Sequence, residues 1–169
     1  GYPDLAWHIV ESAMAEEFDL AVHASMDLDH GFTVPLSIAY GQPKEWPAAV
    51  VPVCVNVIQH PLPTALRCYK LGQAIGRAVA SFPEQIDVGI WGTGGLSHQL
   101  GGERVGIINP EFDQRFLDNL SRDPLANTRI SHTEFMREAG CEGVEMIMWN
   151  VMRGALEDDV NEVFRLYHI

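Results

Sequence analysis

Glu145 is the charged residue whose neighbours in the sequence are the most unusual. It lies in residues 143–152 (GVEMIMWNVM), which are apolar at nearly every other position and therefore predict a buried helix. Three side chains share its face at helical spacing: Met148, Trp149 and Met152. A buried carboxylate must be paired or bind a metal ion. Two interpretations therefore stay open, a metal ligand or a salt bridge to an arginine such as Arg67 or Arg77.

His98 lies in a glycine-rich segment, residues 92–100 (GTGGLSHQL), directly after the apolar run 86–91. Glycines that follow a strand let the backbone turn tightly and approach a ligand. An imidazole at such a turn can act as an acid or a base near neutral pH, or it can simply bond to the backbone of its loop. The glycines could also indicate a phosphate-binding loop, but no Gly-Lys-Ser/Thr follows them, so that signal is weak.

His30 follows two carboxylates, Asp27 and Asp29, in the loop predicted for residues 27–31. A neighbouring carboxylate can fix the tautomer of an imidazole, which would suit a functional histidine. The local sequence alone favours a simpler interpretation, in which Asp29 caps the short helix expected over residues 35–40.

Composition and motifs exclude several classes of protein. The formal net charge is −12 and there is no basic run, which argues against binding to nucleic acid. No apolar stretch reaches about 18 residues, so no membrane-spanning segment is expected. Neither a zinc-binding helix with paired histidines nor the Gly-x-Ser-x-Gly motif of α/β-hydrolases is present. Three widely spaced cysteines, Cys54, Cys68 and Cys141, indicate free thiols in a reducing cytoplasm.

Helix and strand patterns alternate along the chain. Helices are predicted at residues 4–16, 65–82, 111–120, 132–139 and 143–156, and strands at residues 18–24, 48–58 and 86–91. This order predicts an α/β layered domain with a mainly parallel sheet flanked by helices. Ligands of such sheets bind beyond the carboxyl ends of the strands, which is where His30 and His98 would lie.

Three segments form an ordered set that is more specific than any one of them. They are residues 29–37 (DHGFTVPLS), 91–100 (WGTGGLSHQL) and 142–146 (EGVEM), and the likeness extends from residues 3–8 to residues 167–169. This set resembles the class III extradiol ring-cleaving dioxygenases, nearest the gallate dioxygenases and the β-subunit of the protocatechuate 4,5-dioxygenases. The resemblance covers essentially the whole chain.

The resemblance implies a non-haem Fe(II) enzyme that opens polyhydroxylated aromatic rings with O2. Enzymes of this family hold the iron through two histidines and one glutamate, with open positions for substrate and oxygen. Glu145 then matches the glutamate ligand, and His98 matches the acid–base histidine. His30 matches a second active-site histidine, which contacts the substrate and bound oxygen. The overall likeness favours gallate as the substrate, with protocatechuate next, in the catabolism of lignin-derived compounds.

The same resemblance predicts what lies outside the segment. The two iron-binding histidines of the family lie upstream of the matching region, so residues 1–169 are expected to be an interior part of one catalytic domain. Gallate enzymes resemble a self-sufficient homodimer, whereas protocatechuate enzymes need a small α-subunit. Non-catalytic binding proteins of the same fold, and enzymes acting on aminophenols or DOPA, remain alternatives. The presence of His30, His98 and Glu145 together argues against a binding protein.

Overall fold

A computed structural model describes residues 1–169, and its regular secondary structure is entirely helical. The elements follow in the order α1 (Pro3–Ala15), α2 (His30–Tyr40), α3 (Ala65–Ser81), α4 (Pro110–Arg122), α5 (Pro124–Thr128), α6 (His132–Ala139), a 3₁₀ helix (Gly143–Met148) and α7 (Trp149–Ala155). None of these helices has the length and apolar character needed to cross a lipid bilayer.

Local sequence signals set most of the helix boundaries. The side chains of Thr64, Asn109 and Ser131 each accept a backbone N–H from three residues further on, at the starts of α3, α4 and α6. Helix α1 begins with Pro3, whose missing N–H costs nothing at that position. Four predicted helices are therefore confirmed to within a turn: residues 4–16, 65–82, 111–120 and 132–139.

The predicted α/β fold with a mainly parallel sheet is wrong, because the structure contains no strand. Residues 18–24, 48–58 and 86–91 have no regular secondary structure, and no backbone hydrogen bond joins one of these segments to another. A β-branched composition favours strands only in a suitable context, and a strand requires a hydrogen-bonded neighbour. The exposure of Val53 (45%) and Ile58 (61%) also shows that residues 48–58 are not buried along their length, as a strand inside a parallel sheet would be.

Two helical regions differ from their predictions. Helix α2 begins at His30, so Pro35 lies inside it and does not open it; Asp29 occupies the N-cap position with an extended backbone. The helix expected over residues 143–156 is divided into the 3₁₀ helix and α7. Since residues three apart eclipse one another in a 3₁₀ helix, the division brings Glu145 and Met148 above each other.

The main core joins the start of α3 to α4, α6 and the 3₁₀ helix. Phe135 packs edge to face against Phe112 and Phe116, with ring centroids 6.0 Å and 6.1 Å away, and all three rings are buried. This packing fixes α6, whose last residue, Ala139, accepts a hydrogen bond from the backbone of His98. The core therefore supports the glycine-rich segment that contains His98.

Helices α3 and α7 cross in close backbone contact. A Cβ built on Gly72 would lie 2.9 Å from the backbone nitrogen of Ala155, and one built on Gly154 would lie 2.9 Å from the carbonyl carbon of Tyr69. Both are backbone atoms, which cannot turn aside as a side chain can. The crossing therefore depends on glycine at both positions. Helix α1 packs through Leu5 and its apolar neighbours against the adjoining core of α3.

Candidate active site

The glycine loop, residues 92–100, crosses the face of the 3₁₀ helix and α7 on which Glu145 lies. A Cβ built on Gly94 would lie 3.0 Å from the Cβ of Glu145, and Gly94 has a φ of +107°, which favours glycine. The indole Nε1 of Trp149 donates a hydrogen bond to the carbonyl oxygen of Gly94 at 3.1 Å. All four side chains predicted to share one face contact this loop: Glu145, Met148, Trp149 and Met152.

The carboxylate of Glu145 is half-buried and bonded to the loop. Its Oε2 accepts a hydrogen bond from the backbone N–H of Gly95 at 3.1 Å, and its Oε1 has no hydrogen-bond partner in the chain. Neither Arg67 nor Arg77 pairs with it, since both interact with residues just after α1. The salt-bridge interpretation of Glu145 is therefore wrong, and one carboxylate oxygen is free to bind a ligand.

The imidazole of His98 is held in one tautomer. Its Nδ1 lies 2.7 Å from the carbonyl oxygen of Leu96, and because a carbonyl can only accept, Nδ1 carries the proton. Nε2 then has a lone pair and no hydrogen-bond partner within the chain. The backbone of His98 is fixed as well, because its N–H donates to Ala139 at 2.8 Å and its carbonyl accepts from Gly143 at 3.3 Å. The free Nε2 is suited to take up a proton.

Gly95 connects the two candidate residues. Its N–H donates to Glu145, and a Cβ at this position would lie only 2.6 Å from Cε1 of His98, so the imidazole rests directly on the glycine. The structure therefore brings Glu145 and His98 to the same residue of the loop, a juxtaposition that no single sequence motif indicated.

Asp113 anchors the loop from the side of α4. It is 1% exposed and its Oδ1 accepts the N–H of Ser97 at 2.9 Å. Its Oδ2 accepts the hydroxyl of Ser97 at 2.6 Å and that of Tyr167 at 2.9 Å. The hydroxyl of Ser97 also accepts the N–H of Asn109 at 2.7 Å. These bonds stabilise a buried carboxylate that has no cationic partner.

Asp113 was not among the residues predicted from the sequence. An acidic residue in the first turn of a helix usually lies there because it complements the helix dipole, and Glu111 occupies the same turn. The spacing of the neighbouring residues was the available signal. Phe112 and Phe116 are core positions, and Asp113 lies next to the first and three residues before the second, on the same face of the helix.

Tyr167 belongs to residues 160–169, a segment without regular structure that lies beside the loop. Burial, and then its hydrogen bond to Asp113, raises the pKa of Tyr167 from 10.0 to about 12. Because the folded pKa is the higher one, the hydroxyl contributes stability that is fully present below about pH 10 and is lost as the pH rises to about 12. At neutral pH the hydroxyl therefore remains a donor.

A cavity of about 390 Å³ lies between the glycine loop and this segment. It is largely open to solvent, and its walls include His98, Asp113 and His168. Glu145 is not among the lining residues. The cavity therefore reaches Gly95 and His98 but is not bounded by the carboxylate of Glu145.

His30 is not brought to these residues. It is exposed, it is the first residue of α2, and its ring has no hydrogen-bond partner. Helix α2 makes no extensive contact with another helix. Asp29 is the N-cap residue of α2, but its side chain makes no capping hydrogen bond. The interpretation that this carboxylate caps the helix is therefore wrong.

The described residues do not form a complete metal site. No group of three His, Cys, Asp or Glu side chains is placed to hold a metal ion. Glu145 fits the role of a single ligand, because it is anionic, half-buried and has one free oxygen. Any metal held at Glu145 would require further ligands.

Comparison with known proteins identifies the family. A family model described as the catalytic LigB subunit of aromatic ring-opening dioxygenase matches residues 1–169. The chain is 46% identical over 169 residues to a gallate dioxygenase of Pseudomonas putida, covering 100% of this chain and 50% of that protein. The resemblance to extradiol dioxygenases is thus confirmed.

Other relatives are more distant and bear a different name. The chain is 28% identical over 197 residues to a 2,3-dihydroxyphenylpropionate/2,3-dihydroxicinnamic acid 1,2-dioxygenase of Burkholderia vietnamiensis, with 90% of this chain and 61% of that protein covered. A protein of the same name from Mycobacterium ulcerans is 33% identical over 136 residues, with 80% and 42% covered. The chain spans about half the length of the curated relatives it matches.

Dioxygenases of this family are metalloenzymes. The chain belongs to the LigB family of aromatic ring-opening dioxygenases.

Proposed function

We propose that the protein is a non-haem Fe(II) extradiol dioxygenase that opens the ring of gallate with O2. One observation carries the proposal: Gly95 holds the carboxylate of Glu145 through its N–H and lies under the imidazole of His98. A candidate metal ligand and a candidate base thus meet at one residue. The 46% identity to a gallate dioxygenase over the whole chain supports gallate as the substrate.

His98 is the proposed acid–base residue. Nε2 takes a proton from a ring hydroxyl of the substrate and later returns one, while Nδ1 stays bonded to Leu96 and keeps the ring in the required tautomer. A positioned general base of this kind contributes about 10²- to 10⁴-fold to a rate. Bound Fe(II) would supply the binding of adjacent hydroxyls and of O2.

Glu145 is the proposed glutamate ligand of iron. The remaining ligands, by the resemblance, are two histidines outside residues 1–169, so we propose that the segment is an interior part of one catalytic domain. The 50% coverage of the gallate dioxygenase supports this proposal. The role of His30 as a second active-site histidine stays a prediction, since its ring is exposed and makes no hydrogen bond in this structure.

Replacing Glu145 with glutamine should lower the affinity of the full-length protein for Fe(II) by about tenfold or more, because a neutral amide replaces an anionic ligand. Glu142→Gln is the matched control, since Glu142 also accepts a backbone N–H of the loop, from Leu100 at 3.1 Å. Iron would be measured with a colorimetric chelator after anaerobic gel filtration. Equal iron content in the two variants would show that Glu145 is not a ligand.

Oxygen uptake tests the function directly. The full-length protein, loaded anaerobically with Fe(II), would be given gallate, protocatechuate and 2,3-dihydroxyphenylpropionate in parallel. We expect rapid uptake with gallate. Uptake with protocatechuate instead would favour the β-subunit of a protocatechuate 4,5-dioxygenase, and uptake with the third compound would favour the activity named for the more distant relatives. No uptake with any of them, despite bound iron, would contradict the proposal and favour a binding protein.

The proposal extends to assembly and location. A gallate enzyme of this type would pair as a homodimer without a separate α-subunit. All three cysteines are free thiols, and burial raises the pKa of the Cys68 thiol to about 11, which keeps it protonated and unreactive. Free thiols support a location in the reducing cytoplasm.

A further inference from the structure

The bond between His98 and Leu96 closes a small ring of atoms around Ser97. Nδ1 of His98 reaches back two residues to the carbonyl of Leu96, so the peptide groups of Ser97 form the rest of the ring. The position of Nε2 therefore depends on how Ser97 is held. Ser97 is held by Asp113 through two bonds, one to its backbone N–H and one to its hydroxyl.

The two sides of the turn are fixed by different parts of the fold. Ala139 and Gly143 hold the backbone of His98 from the ends of α6 and the 3₁₀ helix. Asp113 holds Ser97 from α4, and its burial at 1% exposure leaves it little freedom to move. Without Asp113, Ser97 would keep only the bond from the N–H of Asn109 to its hydroxyl, and the imidazole could rotate away from the carbonyl of Leu96.

We propose that Asp113 is a positioning residue for the acid–base histidine, acting through Ser97, with Tyr167 completing its hydrogen bonds. The proposal rests on the proposed function of His98 and deepens it. Asp113 makes no hydrogen bond to the imidazole; it acts on the orientation and tautomer of the ring through Ser97. Small displacements of a reacting group are costly, since an error of about 1 Å can lower a rate by about 10²-fold.

The test compares Asp113→Asn and Ser97→Ala with Asp118→Asn in the full-length, Fe(II)-loaded protein. Asp118 is the matched control, because it also lies on α4 and also holds the C-terminal segment, through Arg165 at 2.7 Å, but it does not contact the loop. Asp113→Asn and Ser97→Ala should each lower kcat for gallate by about tenfold or more, with KM and iron content within about twofold of the wild type. The double variant should lose no more than Asp113→Asn alone, because Ser97→Ala removes a bond that Asp113→Asn has already weakened.

A spectroscopic measurement separates this proposal from the proposed function. In the iron-free protein the ring nitrogens of His98 should report a single Nδ1–H tautomer by ¹⁵N NMR, and a mixture of tautomers in Asp113→Asn. Asp118→Asn should match the wild type. This signature needs no substrate, so it remains valid if gallate is not turned over. If Asp113→Asn fails to fold, the same measurements can be made on Ser97→Ala, since this change removes only a hydroxyl. Unchanged kcat and an unchanged tautomer in the folded variants would overturn the proposal.

Discussion

Replacing His98 with phenylalanine is expected to lower the turnover of gallate by about 10²- to 10⁴-fold in the full-length enzyme while leaving its iron content unchanged. The phenyl ring is close in size to imidazole and fits the same half-buried position over Gly95, but it has no nitrogen to accept a proton. Bound iron is unaffected because Glu145, not His98, is the proposed ligand. Steady-state oxygen uptake and an iron assay on the same samples measure both quantities.

His132→Phe provides the matched control. His132 is also a half-buried histidine bonded to a backbone carbonyl, with its Nε2 2.8 Å from Pro63, but it lies at the start of α6, away from the loop. We expect turnover within about twofold of the wild type for this variant. If His98→Phe instead loses its iron, then His98 is a ligand and its acid–base role is wrong. If both variants lose activity equally, the effect arises from folding.

Replacing Gly154 with alanine is expected to destabilise the full-length protein by about 3 kcal/mol, the upper end of the usual cost of overpacking. The added methyl would meet the carbonyl group of Tyr69 on α3, and the two helices would have to separate along their whole contact. The better helix propensity of alanine would offset only about 1 kcal/mol of this cost. The free energy of unfolding from urea denaturation measures the difference.

Gly101→Ala is the appropriate comparison, because a Cβ on Gly101 would meet nothing within 4 Å and its backbone does not have a positive φ. That variant should be within about 0.5 kcal/mol of the wild type. Combining Gly72→Ala with Gly154→Ala should cost less than the sum of the two, since one separation of the helices accommodates both methyl groups. A stability of Gly154→Ala equal to that of Gly101→Ala would show that α3 and α7 do not cross as closely as described.

The helices could be predicted from the sequence because their signals are local. Thr64 and Ser131 mark the starts of α3 and α6, and the buried residues of both helices recur at helical spacing. The strands could not be predicted in this way. The β-branched composition of residues 48–58 gives these residues a preference for extended backbone. Whether they form a strand depends on a hydrogen-bonded partner elsewhere in the chain. Pro35 was misleading for a similar reason, because proline is common at the start of a helix but here lies within α2.

The candidate site was predictable in part. The spacing of residues 145–152 correctly gave the side chains that share a face with Glu145, but the sequence did not reveal that this face meets the glycine loop. The tautomer of His98 depends on a bond to Leu96 that only the backbone geometry shows. Asp113 was missed because an acidic residue in the first turn of a helix usually complements the helix dipole, whereas Asp113 is buried against Ser97 and Tyr167.

The bond between Trp149 and Gly94 has a practical consequence. Of the four tryptophans, Trp149 is the one whose indole is hydrogen-bonded to the glycine loop, and its ring also packs against Phe116, with centroids 6.3 Å apart. Trp7 and Trp91 are about half exposed, so their emission reports mainly on solvent. Trp149 is thus an intrinsic fluorophore attached to the site. Its emission gives a label-free optical signal for movements of the loop, and ligand binding can be followed in the absence of oxygen, before any ring is opened.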